Sequence, residues 1–271
     1  MKSKAACQLL TAIDDGQEAA KRLLDPDYAI QQKFDGKRIL LHIERRSVTA
    51  HNRDGLTCEI SKNIVTEAKR FSLIAPLLID SEWIRETKTL YAFDLLEING
   101  VDLRPTCFID RIHQLTATIQ AGQTSVIRAA RTELEQDAKV DLLTQIHNLN
   151  LEGIALKKKD SPYRIDRQPD QFKYKFTHVA SFLVTRRNQK ASVDLGLFNN
   201  EGKLAEVGSV KIRDRRFERI SEGMIVDVRY SHAFPSHKIY QPRMISIRDD
   251  IQPESCVLAQ LRYKAANPIA I

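Results

Sequence analysis

Lys33-Phe34-Asp35-Gly36-Lys37-Arg38 packs two lysines, an acid, a glycine and an arginine into six positions between apolar runs at 27–30 and 39–43. Such a cluster is costly inside a strand hairpin unless the charges have chemistry to perform. The runs on either side read as strands, and Asp35-Gly36 supplies a turn signal. The expectation is strand-turn-strand from 28 to 43, with Lys33 presented as a nucleophile.

Upstream, Ala19, Ala20, Leu23 and Leu24 interleave with Lys21 and Arg22, which predicts a helix. Asp25-Pro26-Asp27 ends it, because the residue before proline avoids helical geometry. Downstream, the pattern predicts strands at 47–50, 77–83, 90–98, 153–157 and 172–176. It predicts helices at 61–71, 110–120 and 132–148. In the last of these, Leu134, Ala138, Leu142 and Ile146 recur every four residues. Phe172, Tyr174 and Phe176 alternate with Lys173 and Lys175, so both lysines share one side of a strand. Beyond 177, five short β-rich runs at 181–186, 192–198, 206–212, 224–230 and 243–247 suggest a small five-stranded barrel, commonly an OB-fold. The expected domains are 1–176 and 177–271.

The chain has 271 residues, room for one large domain or two ordinary ones. A net charge of +7 and a pI of about 9.2 favour an anionic partner over a basic but inert surface only weakly. Cysteines at 7, 58, 107 and 256 form no Cys-x-x-Cys pair, and neither they nor the seven histidines show zinc-ligand spacing. They read as reduced thiols of a cytoplasmic protein. No apolar run reaches membrane-spanning length, and the apolar part of residues 1–10 is too short for a signal peptide.

Four charged sets sit on strands or strand ends: Lys33 with Asp35 and Arg38, Asp80 with Glu82, Glu152 with Gly153, and Lys173 with Lys175. Lysines and carboxylates in matched number suit a site for phosphate and magnesium. Clustered cations also depress the pKa of one lysine, and a neutral lysine can attack phosphorus or a carbonyl. Taken singly, each set could be a solvated strand end; their order and strand context argue for a site.

These residues carry a resemblance. Lys33 to Arg38 matches the Lys-x-Asp-Gly-x-Arg signature of covalent nucleotidyltransferases, and the chain resembles the ATP-dependent DNA ligases of that superfamily. The further blocks follow in order. Asn52-Arg53 resembles Ser-Arg, and Asp80-Ser81-Glu82 resembles Asp-Gly-Glu. Tyr91-Ala92-Phe93-Asp94-Leu95-Leu96 is similar to the aromatic block, Glu152-Gly153 to the Glu-Gly block, and Lys173-Tyr174-Lys175 to Lys-x-Lys. In the last third, Glu206-Val207-Gly208-Ser209-Val210 and the run from Tyr240 to Asp250 resemble ligase OB domains. The resemblance implies an α+β fold of two domains: an adenylation domain of ATP-grasp-like antiparallel sheets with helices, then the barrel.

It also implies roles. Lys33 would carry AMP, with Asp35-Gly36 as the turn presenting it. Arg38 and Glu82 would hold the ribose, Phe93 would stack on adenine, and Gln31 would read its amino group. Lys173 and Lys175 would grip the α-phosphate. Glu152, with Glu82, would bind Mg2+. Arg248 and Asp250 would orient the pyrophosphate of ATP. Arg53, Arg186 and Arg187 would meet nicked duplex DNA, together with the runs 213–219 and 157–159. A monomeric enzyme of DNA repair, replication or recombination follows, gripping DNA with two core domains and weakened steeply by salt. Three features depart from the family pattern: Ile251 follows Asp250 where lysine is common, Ser81 replaces glycine, and the link from Glu82 to Tyr91 is short. Ile251 keeps open an adenylylation-defective binding module, with Arg243 or Lys238 as replacement bases otherwise. RNA joining or capping by the same chemistry is the other alternative.

Overall fold

Strand β2 (Tyr28–Lys33) is buried along its whole length until the final lysine, so both its faces need cover. Helices α1 (Gly16–Leu24) and α4 (Gln136–Asn148) pack against it, burying Ala19 and Leu23 from one and Leu142 and Ile146 from the other. The Lys139 ammonium, also buried, donates to the carbonyls of Asp25 and Tyr28, both at 3.0 Å. That ties α4 to the chain entering β2.

The computed structural model describes residues 7–264; most of the opening stretch weighed for a signal peptide lies outside them. The chain separates into two compact units, one ending at Lys175 and one beginning at Phe176. In the first, one sheet runs β1 (Gln8–Ile13), β11 (Asp166–Lys175), β10 (Gly153–Lys158), β2 and β9 (Thr132–Glu133) in spatial order. The other runs β4 (Val48–His51), β3 (Lys37–Ile43), β5 (Leu77–Ile84), β6 (Thr89–Ile98) and β7 (Val101–Asp102), with β8 (Ile127–Ala129) beside β6. Helices α2 (Lys62–Ala68) and α3 (Phe108–Gly122) supply Ile64, Phe108 and Leu115 to a core with Ile39, Leu41, Ile79 and Leu95. Each such side chain contributes about 1.5–3 kcal/mol by leaving water.

Four expectations need correction. First, β2 and β3 do not form a hairpin. β2 pairs with β10 and β9, whereas β3 pairs with β4 and β5. Residues 34–36 therefore carry the chain from one sheet to the other. Gly36 makes this crossing so close to β5 that a Cβ would lie 2.5 Å from the Trp83 carbonyl oxygen. Second, the sheets are mixed, because β1 runs parallel to β11 and β8 parallel to β6. Third, the helix expected over 132–148 begins only at Gln136, since Thr132–Glu133 is drawn into a ladder with β2. Fourth, the helix expected over 61–71 ends at Ala68 and tightens into a 3-10 turn, Lys69–Ile74.

The second unit is one antiparallel sheet, ordered β14 (Leu204–Lys211), β13 (Ser192–Phe198), β12 (His178–Asn188), β15 (Ile225–Tyr230), β16 (Arg243–Arg248). Phe182, Leu195, Val210, Val228 and Tyr230 fill its concave side. Strands β14 and β16 approach one another, but no ladder joins them among the described residues. The expected barrel is thus a curled sheet whose hydrogen bonding does not close. The four cysteines are free thiols. No helix among the described residues is long and apolar enough to cross a membrane.

Candidate active site

Register brings the first group of charges together. Lys33, at the end of β2, lies opposite Gly153 of β10, and Gly153 lies opposite Lys175 of β11. Gly153 has φ +147, and a Cβ there would sit 2.1 Å from the Tyr174 carbonyl oxygen. Only glycine fits so close a passage. The preceding residue, Glu152, then places its carboxylate between two lysines: Oε2 pairs with the Lys33 ammonium and Oε1 with Lys175 Nζ at 2.7 Å. That carboxylate is only 6% exposed. Lys173, opposite Ala155, follows the same strand alternation. Burial first, then Lys33 and Lys175, push its ammonium below the usual lysine range. A depressed lysine was expected from clustered cations, and here the effect falls on Lys173.

A cavity of about 410 Å³ opens beside this group, within the size range of small-ligand sites. Gln31, Lys33, Arg38, Arg53, Glu82, Phe93 and Lys173 all line it. Arg38 lies opposite Glu82 in the β3–β5 ladder. Its guanidinium binds the fully buried Asp80 through two bonds, Nε to Oδ1 at 2.5 Å and Nη2 to Oδ2 at 2.6 Å. Nη2 also donates to the Gln8 carbonyl at 3.2 Å. Tyr163 completes this network, donating its hydroxyl to Asp80 at 2.6 Å while accepting from the Gln8 amide at 2.9 Å. Asp80, grouped with Glu82 as a possible metal carboxylate, is instead committed to Arg38 and Tyr163. Burial raises the Glu82 carboxyl to about 7 against the opposing pull of Arg38 and Lys33. Ser81 causes no strain: buried, it donates to the Ile39 carbonyl at 2.7 Å.

Sequence reasoning missed a second buried network. Asp94 receives two bonds from the buried Arg111, at 2.7 and 3.1 Å, and stands 3.6 Å from Lys157 Nζ. Lys157 was read as part of a surface phosphate-binding run, but it is buried, and burial lowers its ammonium to about 8. Period-2 alternation could have found it, because Lys157 shares a face with Ala155 and both line the cavity. Two cations approach the Phe93 ring, Arg38 at 4.5 Å and Lys157 at 5.0 Å from its centroid. Gln31, opposite Thr132, donates to the Phe93 carbonyl and to the Thr132 hydroxyl. Asp35 lies in the crossing between sheets and does not line the cavity.

Four predicted residues belong to the second unit. Arg186 pairs with Asp194 at 2.6 Å, and Arg187 lies over the Phe217 ring at 4.2 Å. Arg248 binds Asp250, with Nε to Oδ1 at 2.5 Å, and also Asp227 at 3.1 Å. Ile251, at the position where lysine was expected, packs half-buried against this unit's core.

Residues 79–175 match the family described as ATP dependent DNA ligase domain. A DNA ligase of Natronomonas pharaonis is 26% identical over 166 residues, which cover 50% of this chain and 29% of that protein. The chain therefore matches less than a third of that relative's length. The ligase domain of M. tuberculosis LigD superposes with a TM-score of 0.55 at 18% identity, over 93% of this chain and 98% of that one. A structure from the Lig E DNA ligases, described as binding DNA with a minimal scaffold, gives 0.64 at 16% identity over 89% and 99%. At such identities these two structures speak for a shared fold. The residues matched span β5 to β11, including Glu82, Phe93, Glu152, Lys173 and Lys175. Over residues 79–175 the chain is thus similar to the ATP dependent DNA ligase domain family.

Proposed function

We propose that this protein is an ATP-dependent DNA ligase that seals 5′-phosphate/3′-hydroxyl nicks in duplex DNA through a lysyl-AMP intermediate. The observation that carries the reading is Lys33 paired with Glu152 beside a cavity of nucleotide-binding size. Lys33 Nζ, having given up a proton, attacks the α-phosphorus of ATP; pyrophosphate leaves and AMP remains as a phosphoramidate. The 5′-phosphate of the nick then takes AMP from Lys33. The 3′-hydroxyl attacks that activated phosphate and releases AMP. Each step places negative charge on phosphoryl oxygens, which Lys173 and Lys175 are placed to offset. Arg38, held by Asp80, keeps its remaining nitrogen, Nη1, for the ribose, beside Glu82. Phe93 offers a ring face to adenine.

Magnesium is the expected cofactor. No cluster of three candidate ligands forms among the described residues. Magnesium nevertheless needs only one or two carboxylates when substrate phosphates and water complete its shell. Glu152 and Glu82 lie near enough that the charge of Glu152 helps to raise the Glu82 carboxyl, a repulsion that a cation held between them would relieve. Bound there, the ion would neutralise charge on the phosphates. In this reading the second unit is an OB-type domain, its strand order matching an unrolled five-stranded barrel. Arg248 and Asp250 would orient the pyrophosphate, and Arg53, Arg186 and Arg187 would contact DNA phosphates of the nicked duplex.

The test offers end-labelled nicked duplexes with all-DNA, mixed and all-RNA strands, with ATP and Mg2+. Sealing of the all-DNA nick is expected. Preference for the all-RNA nick would move the activity to RNA joining. Binding without sealing or protein labelling would leave only a nucleic-acid binding module.

A further inference from the structure

The two-residue strand β9 looks too short to matter, yet it places Thr132 directly opposite Gln31 on β2. We propose that Thr132 is a positioning residue. It fixes the Gln31 side-chain amide so that the cavity accepts a 6-amino purine nucleotide and refuses a 6-oxo one. The inference rests on the reading of this cavity as the ATP site.

The argument is one of donors and acceptors. Gln31 is 1% exposed and lines the cavity. Its Nε2 lies 2.8 Å from Thr132 Oγ1 and 3.2 Å from the Phe93 carbonyl oxygen. The Thr132 hydroxyl in turn lies 3.1 Å from the Ala130 carbonyl. A carbonyl oxygen can only accept, so the Thr132 proton goes to Ala130 and its lone pair faces Gln31. Both neighbours of that end of the amide are then acceptors. The NH2 group must face them, whichever way the amide is first drawn. Oε1 is the end left for a ligand, and no donor to it is recorded among the described residues.

An acceptor at that position pairs with the exocyclic amine of adenine. A 6-oxo purine sets oxygen against oxygen, with both desolvated. The Phe93 carbonyl has a second donor in Lys157 Nζ, at 3.2 Å, so it does not depend on Gln31. The Thr132 hydroxyl has no second donor recorded among the described residues. Thr132 is therefore the nearer of the two acceptors and the one not shared with a second donor, so it contributes most to which end of the amide turns toward the base.

The experiment compares ATP with inosine triphosphate, which lacks the amine and carries a 6-oxo group. Initial rates of nucleotide transfer to Lys33 are measured for the full chain with Mg2+ and α-labelled nucleotides. The wild type should prefer ATP strongly. Thr132→Val should reduce the ATP-to-ITP ratio of kcat/KM about tenfold, mainly through KM, because the amide loses the nearer of its two anchors and is held by the Phe93 carbonyl alone. Thr132→Ser, which keeps the hydroxyl, should restore the ratio. If Thr132→Val loses the wild-type melting transition, Thr132→Ala removes the same hydroxyl without adding bulk. An unchanged ratio in a folded hydroxyl-free variant that still takes AMP overturns the proposal and leaves the ATP reading intact. A wild type that takes neither nucleotide overturns the ATP reading, and the proposal with it.

Discussion

Glu152 in the first unit and Asp194 in the second each hold a basic partner, yet the two carboxylates live in different solvents. Glu152 is 6% exposed and shared between Lys33 and Lys175. Asp194 is 16% exposed and faces Arg186, whose side chain is 67% exposed. Water and salt screen the second pair, and pairs of that kind contribute little to stability. The first group sits where water is scarce, so each charge there feels its neighbours strongly. Losing a partner from such a group leaves a desolvated charge uncompensated. The first unit therefore gathers buried charge into one group, while the Arg186–Asp194 pair of the second lies at the surface.

That contrast predicts graded effects. Lys33→Ala should abolish covalent uptake of AMP while the melting temperature changes little, because Glu152 keeps Lys175. A labelled-ATP assay beside a calorimetric scan checks both. Asp80→Ala strands the Arg38 guanidinium among buried groups and should cost about 3–5 kcal/mol in urea unfolding. Glu82→Gln should act through pH. In the fold the Glu82 carboxyl is raised to about 7 from 4.5. Between those values the unfolded chain gives up the proton first, so wild-type stability falls as pH rises through the interval and levels off above it. At about 1.4 kcal/mol per pH unit the loss is on the order of 3 kcal/mol, and the glutamine variant should not show it. Arg186→Gln should shift stability by at most about 1 kcal/mol, less in high salt. A shift like that of Asp80→Ala would break the comparison.

What the sequence made legible depends on how local the signal is. Alternation of Lys173 and Lys175 with aromatic residues marked β11, and the order of motif blocks marked Lys33, Glu82, Phe93 and Glu152 as one site. Pairing partners are not local. Asp35-Gly36 has the composition of a hairpin turn, and nothing within those residues tells that the strands on either side enter different sheets. Thr132 was absorbed into a helical pattern because Leu134 begins a four-residue repeat; its capture by β2 is a long-range event. Arg111, Tyr163 and Gln8 act through buried partners 17 to 155 residues away, beyond the reach of spacing rules. Lys157 hid inside a run of three lysines, although alternation sends it inward.

The most direct test of the account is to locate the covalent adenylate. The protein is incubated with ATP and Mg2+, digested, and its peptides are weighed by mass spectrometry. The account predicts one AMP, acid-labile as a phosphoramidate, on the peptide containing Lys33 and on no other. An adenylate on Lys173 or Lys175 instead, or none on any peptide of a folded protein, would contradict it.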